Sequence, residues 1–248
     1  IKEPNVFVSQ IQGPKSMELL DNLIDEPIAN TWKYFDWVEI TMSGEKVIIS
    51  RTGFTNELGW EIYFRPENNV EKLGDLILNE GTKMGMILTA TPSFRGRRIE
   101  AGLLSAGQDF TNDTNPFSVG LGRFVDLEKD DFIGKKALIN ADKQCRSWGI
   151  RVVDGIAKKG RSLKLNNKHI GKITSSTWSP YQVCGVGIVL LDKSDVGPGL
   201  VVDVECTDEK IHKAEICELP MYDPKGEIVR GINKNIPTKP EPWQGIKN

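Results

Sequence analysis

Residues 51–64 read RTGFTNELGWEIYF, and this stretch decides what kind of fold the rest of the chain has to build around. A period of two across its second half puts Trp60, Ile62 and Phe64 on one face of a strand and Glu61 and Tyr63 on the other. The apolar face needs a core. The opposite face presents a carboxylate and a phenol side by side on rigid backbone, behind Gly53 and Gly59, where a chain can turn tightly or approach a ligand closely. A carboxylate that accepts two hydrogen bonds matches the amino-pyrimidine edge of a pterin, by the geometry with which it pairs a guanidinium. An ordinary half-exposed strand, acid out and indole in, shows the same alternation, so the pattern alone leaves both readings standing.

Working outward, residues 38–42 and 46–50 flank Ser43-Gly44 and read as a hairpin lying beside the candidate strand. Upstream, residues 5–10 read as a short strand. Ser16 then suits the N-cap of a helix whose Leu19, Leu20 and Leu23 recur at helical spacing. Downstream, residues 69–81 form an amphipathic helix, with Val70, Leu73, Leu76 and Ile77 on one side and Gly81 as its stop. Arg95, Arg97 and Arg98 crowd the next segment. Such a run usually makes a solvated face. The functional reading singles out Arg98, whose fork of donors suits a carboxylate of ligand or protein.

Past Cys145 the texture changes. Short apolar runs at 148–153, 169–175, 183–191, 200–206 and 211–219 alternate with Gly and Pro, the pattern of a small barrel or sandwich. A boundary near Asp142 follows. The tail from Tyr222, with Pro224, Pro237, Pro240 and Pro242, reads as extended and surface-bound. The fold class is therefore α+β: a mixed αβ portion over residues 1–142, then a C-terminal all-β barrel or sandwich domain over 143–248.

Composition narrows the function classes. The 248 residues, 39% hydrophobic and 27% charged, suffice for two cores, and a net charge of −2 gives no electrostatic case for nucleic acid or a membrane surface as partner. No apolar run reaches bilayer length. Cys145, Cys184, Cys206 and Cys217 form no CxxC pair, and His169 and His212 sit in no motif, so no metal site is expected and the thiols read as reduced cysteines of a cytoplasmic protein. Gly-x-Ser-x-Gly is absent, which argues against a serine hydrolase.

The central stretch also resembles the folate-binding segment of the aminomethyltransferase family, the glycine-cleavage T-protein and its relatives. Gln12-Gly13-Pro14, the run from Arg98 to Leu103, Gly107-Gln108-Asp109, Asn115-Pro116 and Phe132-Ile133-Gly134-Lys135 occur in that family's order. Within it, Gly102-Leu103-Leu104-Ser105 and Asn115-Pro116-Phe117 resemble the branch that demethylates dimethylsulfoniopropionate, since the T-protein has Thr-Pro at the latter place. Phe54-Thr55 matches the T-protein side, and Asn56 stands where a Gly is common. The resemblance implies an N-terminal segment before Ile1 that carries catalytic residues, the chain being N-terminally truncated.

That resemblance implies tetrahydrofolate as co-substrate, with Glu61 anchoring the pterin, Tyr63 shaping the site, Phe54 packing near the ring and Arg98 as a further binding residue. It implies methyl transfer from a sulfonium to folate, giving methylmercaptopropionate and methyl-tetrahydrofolate. The alternatives are an aminomethyltransferase, a demethylase of a methylated amine, and a folate-binding module without catalysis. The partner would be a small-molecule methyl donor, a homodimer being compatible with everything above. A sulfonium is a fixed cation that aromatic faces bind well, and from the run Trp32, Tyr34, Phe35 and Trp37 the preferred donor-site residue is Trp32.

Overall fold

The computed structural model describes residues 3–28 and 32–246, and the chain divides into two compact units, Ile1–Phe94 with Lys225–Pro237, and Arg95–Pro224 with Thr238–Asn248. The architecture is α+β, a helix-backed antiparallel sheet followed by a closed six-stranded barrel.

In the first unit, β1 (Phe7–Gln12), β2 (Trp37–Met42), β3 (Glu45–Ser50) and β4 (Gly59–Phe64) form one sheet in the order β1-β4-β3-β2. Ser43 and Gly44, both at positive φ, close the hairpin between β2 and β3. Strand β4 sits between β3 and β1, with Glu61 opposite Ser50 on one side and Gln10 on the other. Trp60, Ile62 and Phe64 are buried, and Glu61 and Tyr63 are half-buried, as the alternation requires. The buried face packs on α1 (Ser16–Leu23) through Leu19, Leu20 and Leu23, and on α2 (Val70–Lys83) through Leu73 and Ile77.

Three local expectations are corrected. Ser16 lies inside α1 and caps nothing: Lys15 takes the cap position, while the Ser16 hydroxyl donates to Leu58 O at 3.1 Å. Gly81 does not stop α2, which continues to Lys83; a Cβ there would collide with the Met86 side chain, so the glycine permits packing. The tail is not simply surface-bound, because Tyr222, Ile228 and Val229 are buried. The start of α2 is a true cap, Asn69 accepting from Lys72 N at 3.0 Å. Asn69→Ala should cost ~1 kcal/mol in urea unfolding, and a loss under a few tenths would show the cap to be idle.

In the second unit the C-terminal end of α3 (Thr91–Glu100) precedes a 3-10 turn (Gly122–Phe124), α4 (Lys135–Asn140) and the barrel. The barrel strands are β5 (Ser147–Val152), β6 (Ser162–Leu165), β7 (Lys168–Ser179), β8 (Cys184–Leu191), β9 (Val201–Glu205) and β10 (Ile211–Cys217), closed in the order β10-β5-β8-β7-β6-β9 and antiparallel throughout. Strand β6 escapes the pattern reading because it is four residues long, yet Asn166-Asn167, both at positive φ, make its turn into β7. Ile150, Leu163, Ile173, Val189, Val204 and Ile216 fill the interior, while Ile99 of α3 joins Val186 and Ile188 in a separate cluster.

Burial pushes the Cys184 thiol up to about 11 and the Cys217 thiol up to about 12. Both should therefore resist alkylation at pH 8 in the native protein and react once it is unfolded. The sign follows directly: thiols that ionise near 9 when unfolded but only at 11 to 12 when folded remove stability as pH rises through that window. Rapid native labelling of Cys217, read by mass spectrometry, would contradict the burial.

Candidate functional site

The outward face of β4 gathers a polar cluster built from neighbouring strands. Glu61 Oε2 accepts from Thr52 Oγ1 at 2.5 Å and from the Tyr63 hydroxyl at 3.3 Å, and Thr52 Oγ1 in turn meets Ser50 Oγ. Among the described residues neither bond uses Glu61 Oε1. The carboxylate is thus aimed by two hydroxyls and keeps acceptor capacity, which is what reading a donor pair requires.

The loop before β4 is laced to β1. Thr55 Oγ1 donates to Gln12 Oε1 at 2.8 Å, Gln12 Nε2 donates to Thr52 O at 3.3 Å, and Phe54 N donates to Gln10 Oε1 at 3.4 Å. Gly53 and Gly59 serve this lacing: neither has positive φ, and a Cβ on either would strike the Gln12 side chain, or Ile11 O in the case of Gly59. The close approach they allow is to β1, within the protein. Asn56 takes the left-handed conformation at φ 59°, which Asn tolerates, so the turn keeps a shape a glycine would adopt. Phe54 is 38% exposed at the edge of the cluster.

Arg51, given no role from sequence, and Tyr34, set behind Trp32 in the aromatic run, belong here. Arg51 is 3% exposed and donates to Gly59 O and to Val229 O. Tyr34 lies in the electrostatic field of both Arg51 and Glu61: burial raises its phenol pKa, Arg51 lowers it and Glu61 raises it. Trp32, the residue preferred from sequence, packs against the sheet core, with its ring 5.9 Å from the Arg51 guanidinium. The aromatic run signalled the neighbourhood, but only the fold shows that Tyr34 shares the field of Glu61.

A cleft of about 610 Å³ runs along β2, walled by Trp32, Phe35 and Trp37 and by the carboxylates Glu26, Asp36 and Glu39; Glu61 is not among its lining residues. Phe35 and Trp37 are 68% and 69% exposed. Among the described residues no group of three or more His, Cys, Asp and Glu is arranged to hold a metal, and no helix is long and apolar enough to cross a membrane.

Arg98 belongs to the second unit, and the carboxylate it meets there is the protein's own. Its guanidinium donates to Asp109 Oδ2 at 2.8 Å, to Ser175 Oγ at 2.7 Å and to Leu103 O at 3.0 Å. Arg97 lies over the Tyr222 ring at 3.9 Å and pairs with Glu100, so Arg95 alone of the three arginines is exposed.

Residues 3–129 match the model of the GCVT N-terminal domain, and residues 146–223 match that of the glycine cleavage T-protein C-terminal barrel domain. The chain belongs to the glycine cleavage T-protein family. An aminomethyltransferase of Bacillus subtilis is 34% identical over 86% of this chain and 59% of its own length, and one from Halothermothrix orenii is 31% identical over 87% and 61%. The glycine cleavage system aminomethyltransferase T of Bartonella henselae has the same fold, with a TM-score of 0.76 at 24% identity over 88% of this chain and 60% of that one. The chain thus spans about 60% of the length of these T-protein relatives.

Proposed function

We propose that this chain carries the folate-anchoring strand and the barrel of a tetrahydrofolate-dependent one-carbon transferase of the aminomethyltransferase type. The observation that carries the reading is Glu61, half-buried on the outward face of β4 with Oε2 fixed by Thr52 and Tyr63 and Oε1 outside those bonds. Such a carboxylate fits the paired donors of a pterin edge, and the exposed ring of Phe54 offers a face beside it. Tetrahydrofolate, when bound, supplies the nitrogen that accepts the one-carbon unit. The chain's own contribution is orientation, since holding a nucleophilic nitrogen in line with the reacting carbon removes much of the barrier. Arg98 acts by fixing the loop that carries Asp109. The same reading takes the domain boundary near Asp142, a position supported by the gap between the two matched segments, 3–129 and 146–223.

An aminomethyl donor is favoured by the relatives, which are named aminomethyltransferases. The second reading, demethylation of a sulfonium such as dimethylsulfoniopropionate, is supported by Asn115-Pro116 and Gly102-Leu103-Leu104-Ser105. Both donors are cationic. The cleft that Trp32 lines, with aromatic walls and carboxylates, suits either head group.

Calorimetric titration with tetrahydrofolate tests the anchor, and transfer assays with aminomethyl and sulfonium donors test the reaction. Glu61→Ala should weaken folate binding by ~1.5–3 kcal/mol, the worth of hydrogen bonds to a charged group. Unchanged affinity in the folded variant would remove Glu61 from the role, and tight binding without turnover on any donor would favour a non-catalytic folate-binding module.

A further inference from the structure

Arg51 opens the stretch that contains Glu61, and the functional reading gives it no task. It is 3% exposed, yet among the described residues no carboxylate lies in ion-pair range of it. Burying a guanidinium without an ion pair is costly, and two carbonyl acceptors and the face of Trp32 offset only part of that cost. A leucine or methionine would fill the space with less penalty. What an arginine adds over either is the reach of its fork of donors.

The fork joins two distant pieces of backbone. Nη1 holds Gly59 O, two residues before Glu61, and Nη2 holds Val229 O at 3.0 Å, 178 residues along the chain. The Arg51 backbone adds a third tie, its N–H bonded to Asp36 O at 2.9 Å and its carbonyl accepting from Phe35 N at 3.0 Å. Phe35 sits at φ 75°, a conformation costly for a bulky side chain, so this segment is held in place against strain. Gly59, meanwhile, is pressed against Ile11 O and the Gln12 side chain with no room for a Cβ. The entrance of β4 is thereby clamped from both sides, by β1 and by the guanidinium.

We propose that Arg51 is a positioning residue for Glu61: by holding Gly59 O and Val229 O together it fixes the start of β4, and with it the reach of the Glu61 carboxylate toward a pterin edge. This rests on the folate reading of Glu61.

The test is a double-mutant cycle on the full chain, Arg51→Met against Glu61→Gln, with tetrahydrofolate affinity read by calorimetry and stability read in parallel by urea unfolding. Arg51→Met should weaken tetrahydrofolate binding by about tenfold or more, and adding it to Glu61→Gln should cost less than about threefold further, because a misplaced anchor and an absent one are equivalent. Arg51→Lys, which keeps the charge but has no fork, should not restore affinity. A purely structural brace predicts a lowered unfolding midpoint with unchanged affinity, or losses that multiply, and either result overturns the proposal. Should Arg51→Met not fold, Arg51→Gln, which retains one donor for Gly59 O, is read by the same criteria. A wild-type chain that does not bind tetrahydrofolate sinks the functional reading itself, a result distinct from a wild type that binds and an Arg51 variant that binds equally well.

Discussion

Asp109→Ala is expected to lower the free energy of unfolding by about 3–5 kcal/mol, because it strands a buried guanidinium. The Asp109 side chain is wholly buried and that of Arg98 is 6% exposed, with 2.8 Å between them. The same carboxylate accepts from Thr174 and Ser175 hydroxyls at 2.6 Å and from Ser105 N at 2.9 Å; without it Thr174 can still donate to Ile188 O at 3.0 Å, but the Ser175 hydroxyl and Ser105 N–H lose their acceptor. Arg98 is then a cation in a low-dielectric setting that keeps the Ser175 hydroxyl and Leu103 O as acceptors but has lost its counter-charge. The double change Arg98→Met with Asp109→Leu should recover most of the loss, since a buried pair exchanged for apolar groups of similar volume is often close to neutral. Denaturant unfolding followed by circular dichroism reads both. A loss below ~1 kcal/mol for Asp109→Ala would mean that the network is solvated in solution.

How far sequence carried the argument depended on the range of the contacts. The alternation in β4 was legible because strand period and burial are local properties, and the turn residues Ser43 and Gly44 marked the hairpin for the same reason. The partners of Arg98 and Arg51 were not legible: Arg98 finds Asp109 eleven residues away and Ser175 of β7 77 residues away, and Arg51 finds Val229 from the far end of the chain. Gly81 and Gly53 misled for a related reason. A glycine marks a place where a side chain would not fit, but whether the obstacle is a turn, a ligand or a neighbouring side chain is settled by tertiary packing, here Met86 and Gln12. The choice between aminomethyl and sulfonium donors rests on a few loop residues, whereas the family rests on most of both domains.

Trp60→Ala should cost about 3–5 kcal/mol, the range for removing a large buried aromatic. Trp60 is wholly buried in the core between the sheet and its two helices, and its indole N–H donates to Ser16 O at 2.8 Å, pinning the first turn of α1 to β4. Trp60→Phe separates the two contributions: it retains most of the ring volume but leaves Ser16 O without that donor, for an expected loss of about 1–3 kcal/mol. The consequence reaches the other face of the strand. Glu61 is held by a β4 whose inner anchors are Trp60 and Ile62, so Trp60→Ala should also weaken tetrahydrofolate binding in whatever fraction stays folded, while Trp60→Phe should leave it nearly unchanged. Hydrogen exchange at the β4 amides, measured beside the unfolding curve, distinguishes a loosened strand from a loss spread over the whole unit. If Trp60→Ala costs less than ~1 kcal/mol, the apolar face of β4 is not the core of this unit, and the outward aim of Glu61 loses its physical basis.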